Sequence, residues 1–486
     1  MANETNEVTG EIAHFAVEAD LNSAPAELLE LALRAFIDTV GVTIAARDDA
    51  VVRAITKATA DEFRWGNATV LSTGERTSPA MAALLNGTSG HALDYDDVGD
   101  RIYGHPSIAL YPTILAVAEN THASGREFLE AYAVGFQIAT AIADALPIRA
   151  HYSKGWHSTA TVGVIAATAS ACRLLDLSVE QIRNAIGIAA SCASGSRQNF
   201  GTMTKPLHPG LAARSAVTAA SLAANGFTAD TSQLEAGMGF FAMYGSNSDL
   251  SAVSKRLAER WTLLHDGINV KKYPCCFNTH RTADAVLSLA PKLSGRVNDV
   301  RSIRLTLEPG GFDPLIHHRP TTGLEGKFSA EYVIAAGLLD GLVDFRSFTD
   351  ASVVRKEAQE LIRKVEYAES ETPAWGSSTY DYAYSVLEIE LDDEVLRERV
   401  DVPKGDHTFP LTAGEIEAKF RSCLEFSGTD WDANEILAEL NAIPSRANMD
   451  GFTSMRVDKT TDDRGEGSQE QVAGNGRSKT SSHDRS

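Results

Sequence analysis

The sequence predicts a mostly α-helical protein that carries a smaller α+β domain. Three observations predict it. Residues 11 to about 265 place Ala, Leu, Ile and Val at helical spacing. Strand-like alternation is confined to the stretch after Asn269. Capped helical patterning then returns near Thr412. With 486 residues, 43% hydrophobic and 22% charged, the chain has the composition and length for two or three packed units.

Taken in order, Ser23 and Pro25 open a helix that runs to about Ala46. Proline fits there because the first N–H groups of a helix have no partner. Leu28, Leu31, Ala32, Ala35, Phe36, Thr39 and Val40 make its apolar stripe. Further helices are expected over 79–93, 107–121, 126–146, 158–175 and 178–193, the last with a Ser178/Gln181 capping pair. Several carry Ala and Gly on many faces, which suits helices buried among helices. Together they make a helical domain, residues 8–268. Residues 269–405 form the α+β domain. Its strands are 302–307, 385–391 and 396–402, and its helix candidates are 279–291, 330–339 and 351–365. Thr412 with Glu415 caps another helix, and residues 406–446 are expected to rejoin the helical domain. Residues 458–486 are polar and too poor in apolar groups to offset ordering entropy, so a disordered tail is expected.

Charge and composition exclude some functions. A net charge of −21 repels a phosphate backbone, so nucleic acid is excluded as a partner, while a cationic pocket for a small anion remains compatible. No apolar run reaches the roughly 18 residues of a membrane span. Five cysteines without framework spacing, and no signal-peptide pattern, lead to a cytoplasmic expectation.

Chemistry-bearing residues gather beside Gly and Pro breaks. The central one is Gln198 to Gly210, where Lys205 and His208 lie among Gly201, Pro206, Pro209 and Gly210. These breakers predict a bend, with a helix from Leu211 to Asn225 behind it. Such a helix start, with a lysine and a histidine, suits a carboxylate or phosphate. His91 to Asp97 holds three carboxylates in four residues. Asp94 is expected to point inward, and Asp96 and Asp97 to cap backbone N–H groups. His105 precedes Pro106, and His157 starts a helix whose dipole favours the neutral, proton-accepting imidazole. Lys271, Lys272 and Tyr273 sit at the domain junction. Arg319 and Lys327 could each clamp a carboxylate. Cys275 and Cys276 lack metal-site spacing and read as buried small hydrophobes. No nucleotide-binding loop, zinc-protease or serine-hydrolase motif is present. Cofactor-free, metal-free acid–base chemistry on a small anion is what these residues suit. Cations would stabilise the enolate-like charge made beside a carboxylate.

At these stretches the sequence resembles the MmgE/PrpD family, over about residues 8 to 445. The resemblance rests on His91-Ala92-Leu93-Asp94-Tyr95-Asp96-Asp97, on His105-Pro106 and on Gly201 through Gly210. Leu234 through Phe240, Lys271 through Cys276 and Lys327-Phe328-Ser329 also fit. It implies a helical domain, an α+β lid, a homodimer and a site in the interdomain cleft. Members include 2-methylcitrate dehydratase, itaconate-forming cis-aconitate decarboxylase and iminodisuccinate epimerase, none known for needing a metal. In decarboxylase members the site positions correspond to Asp94, His105, His157, Lys205 and Lys271. A threonine there is Val98 here, and a histidine of the animal enzymes falls at Cys276. The resemblance implies a lyase on a di- or tricarboxylate, first a 2-methylcitrate dehydratase-like hydro-lyase, with a decarboxylase or epimerase as alternatives and a catalytically silent carboxylate binder as a remote one. His157 or Asp94 would act as base and His105 as proton donor or orienter. Lys205 and Lys271 would stabilise the charge. His208, Lys272, Tyr273, Arg319 and Lys327 would bind substrate.

Overall fold

Helix burial organises the larger part of the molecule. The computed structural model describes residues 7–62, 66–293, 295–371 and 383–451. The expected polar tail, 458–486, lies outside them. The helices Pro79–Ala92, Pro106–Thr121 and Ser158–Leu174 are buried on nearly every face, as their Ala- and Gly-rich sequences require. Gly125–Ala145 and Ala26–Ala45 pack round them. Phe36 meets Phe128 edge-on at 4.8 Å, and Tyr111 stacks on Tyr132 at 4.2 Å, which adds aromatic contacts to simple area burial. A short hairpin, β1 Ala68–Thr69 and β2 Arg76–Thr77, lies beside this core. No described helix is long and apolar enough to cross a membrane.

The second core is a four-stranded sheet of order β4–β3–β5–β6. Strand β3 (Ser302–Leu307) runs parallel to β4 (Val365–Glu369) and antiparallel to β5 (Ser385–Glu390), which pairs with β6 (Val395–Val400). The register sets Ile303 opposite Ile389 and Leu305 opposite Leu387. Alternation therefore puts these four on one buried face, in the core that the His280–Leu289 helix forms against the sheet with the Ala330–Asp340 helix packed on it. The Ala413–Ser427 helix returns to the first core, where the Phe420 ring lies against Gly41 of Ala26–Ala45. The capping boxes at Ser178/Gln181 and Thr412/Glu415 both form.

Two local expectations fail. Residues 351–365 are not one helix: the chain is extended at Arg355, between Asp350–Val354 and Lys356–Ile362, and its end becomes β4. That strand is an exposed edge, so its sequence, Val-Glu-Tyr-Ala-Glu, shows no apolar alternation. The second failure is more instructive. Helix Thr204–Ala224 starts seven residues before Leu211 and takes in Pro206, Pro209 and Gly210. Pro206 falls in the first turn, where a missing N–H costs nothing. Gly210 is there for packing: a Cβ on it would sit 2.2 Å from the Thr88 hydroxyl and 2.5 Å from the Leu84 carbonyl. Its counterpart Gly87 faces the Gly210 Cα across the contact. Gly210→Ala is accordingly expected to cost about 1–3 kcal/mol of stability by overpacking, read as a lower urea midpoint with an unchanged slope.

Candidate active site

The site is built on the turn that ends the Pro79–Ala92 helix. Asp94 there adopts φ 52°, a left-handed conformation that Asp tolerates better than most residues. Three buried lysines hold the carbonyls of this turn, one each. Lys327 Nζ donates to Leu93 O at 2.6 Å, Lys271 to Asp94 O at 2.8 Å and Lys419 to Tyr95 O at 2.9 Å. Lys327 also donates to Pro274 O at 2.9 Å, and Lys419 pairs with buried Asp38 at 2.6 Å.

So held, the Asp94 carboxylate pairs with both Lys205 and Lys271, the latter at 3.1 Å. Burial alone would push the Asp94 carboxyl up, but the two ammoniums outweigh it and hold it well below the usual carboxylate range. The same balance, reversed in sign, raises Lys271: burial opposes its charge, and Asp94 together with Asp96 outweighs that. Lys205 lies in the first turn of Thr204–Ala224 and over the rings of Phe200 and Phe328, at 5.3 and 5.0 Å.

Two histidines face this cation pair from two helix starts. His105 is the N-cap residue of Pro106–Thr121 and His157 that of Ser158–Leu174. The Asp96 carboxylate lies 2.9 Å from His91 Nδ1 and 3.1 Å from His105 Nδ1. His157 Nδ1 is 3.1 Å from His208 Nδ1. Burial lowers all four imidazoles: His91 to about 3, His208 to about 4, His105 less far, and His157 well below its ordinary value with Lys205 adding to the effect. Asp96 is held well below the carboxylate range, since His91 and His105 outweigh its burial.

Asp94, His105, His157, Lys205 and Lys271 thus share one small pocket at the seam between the two cores. Tyr103, Tyr152, Phe200, Cys276 and Asn278 complete its wall. Arg197 lies 3.5 Å over the Tyr152 ring and donates to the Tyr152 and Asp313 carbonyls, joining the two halves beside the mouth.

The structure sets five of the sequence candidates for substrate contact outside this wall. Lys272 is exposed and paired with Asp284 at 3.1 Å, and the buried Tyr273 hydroxyl donates to the same carboxylate. Arg319 is exposed and folds back on the His318 carbonyl. Lys327 spends its donors on main-chain carbonyls beneath the Asp94 turn. His208 sits behind His157, and their Nδ1 atoms share one hydrogen bond that holds the His157 ring in place. Conversely, Asp96 is no simple cap, whereas Asp97 is: it accepts from the Ser107 N–H and hydroxyl. His91 and Lys419 were missed. His91 had a visible signal, since five residues separate it from Asp96 across a turn.

The buried histidines carry a pH prediction. The unfolded chain binds the His208 proton near pH 6.5 and the folded chain only near pH 4. Stability is therefore lost as pH falls through that window, by about 1.4 kcal/mol per pH unit for each such proton. Urea midpoints measured between pH 7 and 5 are expected to fall, and to fall less steeply in His208→Gln.

Comparison with known proteins agrees with this architecture. The model of the MmgE/PrpD N-terminal domain matches residues 10–252, and that of the MmgE/PrpD C-terminal domain matches residues 273–442. Curated relatives include the cis-aconitate decarboxylase of Mus musculus, 30% identical over 71% of this chain and 72% of its own length. That of Homo sapiens is 29% identical over 75% and 76%, and that of Aspergillus terreus 27% identical over 76% and 80%. With both domain models matched in order across most of its length, the chain belongs to the MmgE/PrpD family.

Proposed function

We propose that this MmgE/PrpD-type lyase is a decarboxylase that converts cis-aconitate, or a close tricarboxylate, into itaconate or its counterpart. The observation that carries the reading is the Lys205–Asp94–Lys271 cluster facing two neutral imidazoles in one pocket. The names of the relatives support this reading over the 2-methylcitrate dehydratase expected first: those of Homo sapiens and Aspergillus terreus are cis-aconitate decarboxylases and that of Aspergillus oryzae is named as like one.

The chemistry fits the residues. Breaking the bond to the departing carboxylate releases CO₂ and leaves its electron pair on an allylic carbon. That pair moves through the double bond onto the far carbon, where a second carboxylate spreads it as an enolate. Lys205 and Lys271, both buried, stabilise this dianion where it develops. A proton then joins the far carbon. His157 is the donor in this reading, which takes His208 as the donor in the bond between their Nδ1 atoms and so assigns the His157 proton to Nε2. His105 is turned the other way. Its Nδ1 lies 3.1 Å from the Asp96 carboxylate, and this reading keeps the ring proton on that side, which leaves Nε2 as an acceptor suited to a base rather than to the donor role expected from the sequence.

Proton NMR in D₂O tests the reading, with purified protein and no added metal. Cis-aconitate is expected to give itaconate carrying one deuterium. Conversion of 2-methylcitrate or inversion of iminodisuccinate, with cis-aconitate untouched, would sink the decarboxylase reading.

A further inference from the structure

Asp96 does more than hold two rings in place. Its carboxylate faces His91 Nδ1 at 2.9 Å and takes the ring's N–H, which leaves the His91 Nε2 lone pair facing away from it. That Nε2 is buried and meets no donor among the described residues. A buried, unmet lone pair costs desolvation and repels an anionic substrate, whereas a cation would satisfy it. One ring nitrogen from each of His91, His105 and His157 lies within 4.8 Å of the other two. The rings themselves are 4.4 Å apart for His91–His105, 5.8 Å for His91–His157 and 6.3 Å for His105–His157.

We propose that His91, His105 and His157 form a capture site for a single first-row divalent cation, Zn²⁺ being the best fit, and that its occupancy blocks turnover. Three imidazoles are a known zinc donor set, and a carboxylate behind the histidines, as Asp96 is here, raises their basicity as ligands. Zinc–nitrogen bonds of about 2.0–2.1 Å require nitrogens roughly 3.4 Å apart, so the ring nitrogens must draw together by up to about 1.4 Å. His105 is the ring free to do so. It stands at a helix start, its side chain is 11% exposed, and its Nδ1 contact to Asp96 is not a well-formed hydrogen bond. Because His105 and His157 line the pocket, a bound cation withdraws both from proton transfer. The site stands whichever carboxylate the enzyme acts on.

The test uses the whole chain, stripped with EDTA, dialysed against ZnCl₂ alone and desalted, with zinc counted by mass spectrometry. The parent is expected to retain about one zinc per chain, and His91→Gln and Asp96→Asn to bind at least about tenfold more weakly. CoCl₂ alone is expected to give the visible absorption of low-coordinate cobalt in the parent and none in His91→Gln. Circular dichroism of each variant confirms folding. No retained zinc in the parent, or parent-like affinity in both variants, overturns the site. One bound zinc with undiminished turnover overturns the inhibitory role.

Discussion

Lys205→Met is expected to lower kcat by about 10²- to 10³-fold, the loss seen when one fixed stabiliser of a developing negative charge is removed. Lys205 is 3% exposed and its ammonium touches Asp94. Methionine keeps most of the stem that lies against Phe200 and Phe328, and Asp94 remains paired with Lys271. The fold therefore persists, and circular dichroism of the variant is expected to match the parent. The kinetic pattern matters more than the size. A charge needed only in the transition state lowers kcat and kcat/KM together, while a mere substrate anchor raises KM and spares kcat. Steady-state rates over a range of cis-aconitate concentrations separate the two. An unchanged kcat would remove Lys205 from the catalytic set.

Lys419→Met is expected to destabilise the protein by about 3–5 kcal/mol, because it strands a buried carboxylate. Lys419 and Asp38 are both nearly inaccessible and pair at 2.6 Å. Burial already pushes the Asp38 carboxyl up, and Lys419 is the first group that opposes this. Adding Asp38→Asn removes the stranded charge, so the double variant is expected to recover most of the loss in a urea titration. It does not restore the hydrogen bond from Lys419 to the Tyr95 carbonyl. Its kcat is accordingly expected to stay below that of the parent although its stability returns. If stability and kcat recover together, Lys419 serves the fold alone.

The two cores and the five wall residues were legible in the sequence for different reasons. Helical spacing and strand alternation are local, so the large helices and three of the four strands could be read directly. His105, His157, Lys205 and Lys271 stood out beside Gly and Pro breaks, but so did His208, Arg319 and Lys327, and it is the family resemblance that added Asp94 and singled out these five. Local reading failed where a tertiary contact decides. Pro206, Pro209 and Gly210 look like breakers, but Gly210 is where two helices touch. Lys419 lies on a capped surface-type helix and looks solvated, yet it reaches a carbonyl 324 residues away. Lys327 resembles a substrate clamp because its neighbours give no hint of the Leu93 carbonyl beneath it. Asp96 reads as a cap until the left-handed turn at Asp94 swings it toward His91 and His105.

The three lysines on the Asp94 turn also bear on how the molecule assembles. Their contacts close chain separations of 177, 234 and 324 residues. Closures of that length come late, after short-range helices have formed and packed. During refolding from urea, far-UV ellipticity should thus return before turnover does. A ribosome-bound chain that has emerged only as far as residue 400 has no Lys419 for the turn, so catalytic competence arrives with the last helices rather than with the domain that carries most of the pocket. The turn ties activity to completion of the chain, which makes turnover a direct assay of finished folding.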